Sequence, residues 1–291
     1  MSTHEDPRQQ LLADLPVTER RLELAGVSTA LLEGGDGPPI VLLHGPAANA
    51  MHWVRVIPDL ATSHRVVVPD LPGHGASKIQ DGSLDADRVL AWLDELIERT
   101  CSAPPVLVGH AFGGAIEARF AADHDGRLAG LVLVDALGLA NFEPAPEFAG
   151  ALADFFVKPT EHTYDRVWQH CALDLDRLRH SMGERWDQLK AYNLERARTP
   201  SVMAAVDSLM KQFGFQAIPS ADLARIAVPT SLIWGRHDIA TRLEVAEAAS
   251  ARYGWPLHVI EESADDPPIE QPEAFLRALR TALESRTEAA A

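Results

Sequence analysis

Gly109-His110-Ala111-Phe112-Gly113-Gly114 is the stretch on which the fold turns. Ahead of it, Val106-Leu107-Val108 is a short apolar run that reads as a buried parallel strand. After it, Ala115-Ile116-Glu117-Ala118-Arg119-Phe120 reads as helix. The glycines therefore sit at a strand-to-helix turn. So tight a turn leaves no room for side chains on its flanks, and Gly109 and Gly113 bracket a central Ala111.

Outward from this turn, strands and helices alternate. Leu22, Leu24, Val27 and Ala30, with Gly26, Gly34 and Gly35, predict an antiparallel opening hairpin over 20–34. Ile40-Val41-Leu42-Leu43, Arg65-Val66-Val67-Val68, Leu131-Val132-Leu133-Val134 and Ser231-Leu232-Ile233-Trp234 read as further strands. Helical patterns cover 51–60, 86–100, 112–123, 242–252 and 272–283, so the sheet is expected to be doubly wound and mostly parallel. The rhythm breaks between about Ala140 and Asp222, a helical stretch dotted with Phe148, Phe155, Trp168, Trp186 and Tyr192. Most of these aromatics are expected to pack inward and the rest to line an apolar pocket.

These segments together resemble the α/β-hydrolase superfamily over roughly residues 20–285. The carriers are the His44-Gly45 turn, the loop Asp70-Leu71-Pro72-Gly73-His74-Gly75, the Gly109–Gly113 elbow, the strand ending at Asp238, and Glu270-Gln271-Pro272-Glu273. The resemblance implies an α/β-hydrolase fold: a doubly wound, mostly parallel sheet with a helical cap inserted after the sixth strand. Residues 1–139 and 223–291 would form the core and 140–222 the cap.

Hydrolysis on this fold needs a nucleophile, a histidine, an orienting acid and two backbone N–H donors for the oxyanion. By the resemblance, Ala111 stands at the nucleophile position, and a methyl group neither attacks nor ionises. Asp238 stands at the acid position, and its alternative role is to cap the following helix. Asp265 stands where the histidine belongs, in Ala264-Asp265-Asp266-Pro267, and at its ordinary pKa of about 3.9 an aspartate is a poor base near neutrality. One oxyanion N–H would come from Phe112 and the other from Pro46, which has none. Serine-to-alanine replacement in the laboratory would account for Ala111, but not for Asp265, Ala264 or Pro46.

His44, Gly45, Pro46, His110 and Phe112 belong to the loops expected to frame a ligand. His44 and His74 more naturally serve their loops, and the His110 side chain is expected to point away from the pocket. Asp238 and Asp265 should face each other, and two such carboxyls would share a proton rather than both ionise. This predicts a non-hydrolytic, cofactor-independent catalyst of lyase, isomerase or cyclase type acting by proton transfer on a small apolar carbonyl compound. The alternatives are a non-catalytic binding protein and an ester, lactone or carbon–carbon bond hydrolase inactivated at its serine.

At 291 residues and 46% hydrophobic, the chain can bury one full core. Acids outnumber bases 42 to 26, and the net charge of −16 opposes binding to nucleic acid or anionic lipid. A small apolar organic ligand is the expected partner, and cap helices leave a homodimer open. The start, Met1-Ser2-Thr3-His4-Glu5-Asp6-Pro7, lacks a basic and apolar leader pattern, and no apolar run is long enough to span a membrane, so a cytoplasmic protein is expected. Cys101 and Cys171 lack metal-type spacing and read as ordinary thiols. No nucleotide cofactor or metal is expected: the glycines lack the dinucleotide fingerprint, and the carboxylates lack a recognised ligand spacing.

Overall fold

The computed structural model describes residues 6–80, 83–124 and 126–289. Among the described residues, nine strands form one sheet: β1 (Thr18–Leu24), β2 (Val27–Gly34), β3 (Pro39–Leu43), β4 (Arg65–Pro69), β5 (Lys78–Ile79), β6 (Val106–His110), β7 (Gly130–Val134), β8 (Thr230–Gly235) and β9 (Leu257–Ile260). Their order is β1-β2-β4-β3-β6-β7-β8-β9, with β5 pairing β2. The pairs from β4 through β9 are parallel, and β1 and β2 are antiparallel additions at one edge. The opening hairpin turns through Ala25 and Gly26, both at positive φ, a turn that suits the twist of its strands.

Every residue of β3, β6, β7 and β8 is buried, because helices cover both faces and leave no side for alternation. Trp92 and Trp234 are fully buried, and each indole N–H has an acceptor: Thr29 Oγ1 at 2.8 Å and the Thr241 carbonyl at 2.7 Å. Burial of each such ring supplies on the order of 3 kcal/mol, and the satisfied N–H avoids the desolvation cost that would erode it.

Helices Ala86–Thr100 and Phe112–Asp123 have the expected bounds. The expected helix over 51–60 is instead a 3-10 turn, Ala50–Trp53, followed by a short helix, Ile57–Leu60. Pro58 explains the break, since a proline has no N–H to donate back along a continuous helix and its ring crowds the carbonyl four residues earlier. The short strand β9 gave too brief an apolar signal to be anticipated.

Between β7 and β8 the chain is helical: Pro146–Val157, Glu161–Cys171, Leu175–Met182, Glu184–Ala197 and Pro200–Leu209, closed by a π-turn over Met210–Gly214. Leaving aside the two-residue β5, this insertion follows the sixth strand. Pro146 and Pro200 each stand in a first helical turn, where the missing N–H costs nothing. None of the described helices is long and apolar enough to cross a membrane.

Candidate functional site at the strand-to-helix elbow

Ala111 joins β6 to the helix Phe112–Asp123 at φ 49°, ψ −119°. For a residue with a Cβ this conformation costs about 1–3 kcal/mol and persists only where the surroundings dictate it. They do so here: Ala111 N donates to the Val134 carbonyl at 3.1 Å, and the Ala111 carbonyl accepts from Leu137 N at 3.0 Å. A Cβ on Gly109 would lie 2.5 Å from Gly114 N, and one on Gly113 would lie 2.6 Å from the Leu43 carbonyl oxygen. The flanking glycines are thus a steric requirement of the close approach of β3, β6 and the helix.

Above Ala111 lies a cavity of about 190 Å³. Its floor includes Gly45, Pro46, His52, His110, Ala111, Asp265 and Asp266. Its walls are Phe142, Phe148, Phe155, Phe156, Tyr164 and Trp168 from the helical insertion. The helix Glu161–Cys171 contributes Tyr164, Val167, Trp168 and Cys171, an i, i+3, i+4, i+7 set that one helical face presents together.

The structure moves three of the sequence-based expectations. The His110 side chain lines the cavity rather than pointing away; its ring stacks on His52 at 4.5 Å and 19°, and its Nε2 donates to the Asp265 carbonyl at 2.8 Å. Gly45 makes this possible, since a Cβ there would meet His110 Nδ1 at 2.8 Å. His44 lies outside the lining: its Nε2 accepts from Leu71 N at 3.1 Å and its Nδ1 donates to the Gly45 carbonyl at 2.9 Å. The Phe112 side chain is buried beneath the floor, edge-on to His74 at 5.5 Å. Gly45 and Pro46 line the cavity, and Pro46 offers no N–H there.

Asp238 sits at the end of β8 with its carboxylate fully engaged. Oδ1 accepts from Ala240 N at 2.7 Å and Thr241 N at 3.0 Å, and Oδ2 accepts from Thr241 Oγ1 at 2.6 Å. It therefore holds the turn leading toward the helix Leu243–Tyr253, and it is absent from the cavity lining. Burial nevertheless pushes its pKa from 3.8 up to about 6.

Asp265 does line the cavity. Burial raises its pKa well above the ordinary range, and the Asp238 and Asp266 carboxylates raise it further. Burial likewise raises Asp266, whose Oδ1 lies 3.5 Å from His52 Nδ1 and 3.8 Å from His110 Nε2. Asp135, at the end of β7, is a third buried carboxyl pushed up by burial and then by Asp238; its Oδ1 accepts from Gly235 N at 2.9 Å. The histidines move the opposite way. Burial lowers His110 to about 4 and drives His52 well below 6.5, so near neutral pH both rings are uncharged. His52, Asp266 and Asp135 were not singled out as site residues from sequence. The adjacent pair Asp265-Asp266 was the one available hint.

Donor atoms of His52, His110 and Asp266 lie within 4.8 Å of one another, as do those of Cys171, Asp265 and Asp266. The His110 Nε2 that approaches Asp266 already donates its proton to the Asp265 carbonyl, so it has no lone pair to offer an ion. Burial also pushes the Cys171 thiol well up, away from the thiolate that a metal would need. As it stands, this donor set does not fit a metal centre.

A strained residue between two crowded glycines, at the head of a central parallel strand and beneath a helical insertion, is the active-site frame of the α/β hydrolase fold. The profile of that family, described as alpha/beta hydrolase fold, matches residues 38–266, and the chain belongs to it. It is 32% identical over 226 residues to the magnesium-chelatase 30 kDa subunit of Rhodobacter capsulatus, covering 75% of this chain and 76% of that protein. It is 26% identical over 267 residues to the pimeloyl-[acyl-carrier protein] methyl ester esterase of Aeromonas hydrophila, covering 86% and 97%. Identity to the 2-hydroxymuconate semialdehyde hydrolase of Pseudomonas sp. strain CF600 is 28% over 232 residues, covering 77% and 78%. Among solved structures, a membrane phospholipase A superposes with a TM-score of 0.80 at 24% identity, over 97% of this chain and 92% of that one.

Proposed function

We propose that this protein has a degenerate catalytic triad and is a non-hydrolytic acid–base catalyst on a small, mostly apolar carbonyl compound held above Ala111. The observation that supports this reading is the position of Asp265, which lines the apolar cavity in the loop where the family resemblance would put the histidine, with its pKa raised by burial and by Asp238 and Asp266. A neutral carboxyl donates a hydrogen bond to a ligand carbonyl, as a carboxylate cannot, and a proton lost from the carbon beside that carbonyl passes to His52 Nε2, an acceptor without a partner among the described residues. Asp238 acts from behind: its charge helps to keep the proton on Asp265.

The test is deuterium incorporation, followed by NMR, at the carbon beside the carbonyl of one-ring ketones incubated with the protein in heavy water. Exchange that falls on Asp265→Asn, with the fold intact, is the expected result. Binding without exchange would establish the non-catalytic alternative instead.

A second reading, a hydrolase of esters or carbon–carbon bonds whose serine has become alanine, is favoured by one observation. Ala111 keeps the strained conformation that a nucleophile needs, and the relatives include an esterase and a hydrolase. Pro46 and Asp265 weigh against it, since each removes a further part of the machinery.

A further inference from the structure

The titratable groups at the cavity floor are acceptors, or acids that become acceptors on losing a proton. Asn49, Asn193 and Thr241 also line the cavity, and each directs a donor to a partner within the chain. Asp265 and Asp266 line the floor, backed by Asp238, whose charge raises both. His110 donates its Nε2 proton to the Asp265 carbonyl, which leaves Nδ1 a bare acceptor with no hydrogen-bond partner among the described residues. His52 is 4% exposed, and its Nε2 also lacks a hydrogen-bond partner among them. Among the described residues, no lysine or arginine lines the cavity. Two other buried carboxyls do have such partners, Asp70 at 3.0 Å from Arg8 and Glu33 at 3.0 Å from Arg65, whereas Glu117, Asp135 and Asp238 are buried away from the cavity lining with no ion pair to lysine or arginine among the described residues.

The cavity wall matches this inventory. Tyr164 and Trp168 present their rings from the same helical face as Cys171, whose sulfur lies within 4.8 Å of carboxylate oxygens of Asp265 and Asp266. Phe155 packs 5.9 Å from Tyr164 and extends the aromatic wall. Aromatic faces next to unpaired carboxyls attract a cation with an apolar body. An apolar cavity of about 150 Å³ is known to hold benzene, so the volume here admits a one-ring compound.

We propose that the ligand of this cavity carries a protonated amine, seated between the aromatic wall and the Asp265–Asp266 carboxyls, on a small aromatic or alkyl body. This rests on the reading that the cavity above Ala111 is the ligand site, and it names the chemistry of that ligand. The ammonium N–H groups donate to a carboxylate and to His52 Nε2. The positive charge of the ligand replaces the proton on Asp266, which leaves to the buffer, while Asp265 keeps its own proton for a carbonyl of the same ligand.

The test is calorimetric titration of the whole protein at pH 7 with 2-phenylethylamine, 2-phenylethanol and phenylacetate, three probes of similar shape and different charge. The amine is expected to bind at least tenfold more tightly than the alcohol, with phenylacetate weakest. Its binding enthalpy should vary with the ionisation enthalpy of the buffer, in the sense of proton release. Asp266→Asn should reduce the preference for the amine severalfold. If that variant fails to fold, the buffer dependence of the unaltered protein decides. Equal binding of amine and alcohol without proton release would overturn the amine assignment and leave the cavity as the ligand site. Failure of all three to bind would overturn both.

Discussion

The elbow and the loop facing it are held in place by different things. Around Ala111 the geometry is that of a working α/β hydrolase: a positive φ, glycines at 109 and 113 and a helix starting at Phe112. Opposite it, Asp265 and Pro46 line the cavity, and on the proposed reading they stand where a hydrolase would hold its histidine and one of its oxyanion donors. The elbow residues are fixed by sterics that hold whether or not a reaction occurs. The facing residues answer to chemistry rather than to packing, so on the proposed reading the fold tolerates their replacement.

The largest expected effect comes from rebuilding the facing side. Ala111→Ser alone should leave ester hydrolysis at background, measured with a p-nitrophenyl ester. Adding Asp265→His should raise the rate by about 10² to 10⁴, the usual contribution of a positioned base. Replacing Pro46 with glycine should add roughly another 10². If serine alone gave the full rate, the contrast between the two sides would collapse.

On the elbow side, Gly113→Ala drives a Cβ into the Leu43 and His44 carbonyls and should cost about 3 kcal/mol in denaturant unfolding. Pro46→Ala should change stability by less than about 1 kcal/mol. Similar costs at the two positions would mean that both sides are held by packing.

Acid unfolding sharpens the comparison. Asp238 has a folded pKa of about 6 against an ordinary 3.8, so the folded state holds its proton more tightly, and this contribution to stability is lost as pH rises from 3.8 through 6. His110, lowered from 6.5 to about 4, works oppositely: the unfolded chain takes up the proton first, and stability is lost as pH falls from 6.5 toward 4. The two offset each other in the native protein. Asp238→Asn removes one of them, so the variant should lose more stability than the native protein between pH 6 and pH 4, by on the order of 2 kcal/mol. Parallel pH curves would contradict this.

The smallest effect is expected at the elbow residue itself. Ala111→Gly relieves the positive φ and should stabilise the fold by up to about 1 kcal/mol, net of the extra freedom that glycine gains in the unfolded chain. A loss of stability would show that the alanine methyl packs better than its backbone suffers.

The fold was legible because its signals are local and repeated. Buried strands read as Ile40–Leu43 or Leu131–Val134, and the crowded turn shows as Gly109 and Gly113. The site was legible only as far as motifs reach along the chain, which placed Ala111, Asp238, Asp265 and Pro46. The stacking of His52 on His110, the turn-holding role of Asp238 and the nearness of Asp135 to it depend on contacts between residues far apart in sequence, and no periodicity encodes those. The direction of His110 was misjudged for the same reason: the room for its ring comes from Gly45, on another strand's end.

The central claim is that the site has been rebuilt rather than merely disarmed, and fluorophosphonate labelling of Ala111→Ser tests it most directly. Such probes report a serine activated by a base and an oxyanion hole. With the fold confirmed by circular dichroism and the unaltered protein as blank, the account requires no labelling at the introduced serine. Strong labelling there would contradict it and show a hydrolase lacking only its nucleophile.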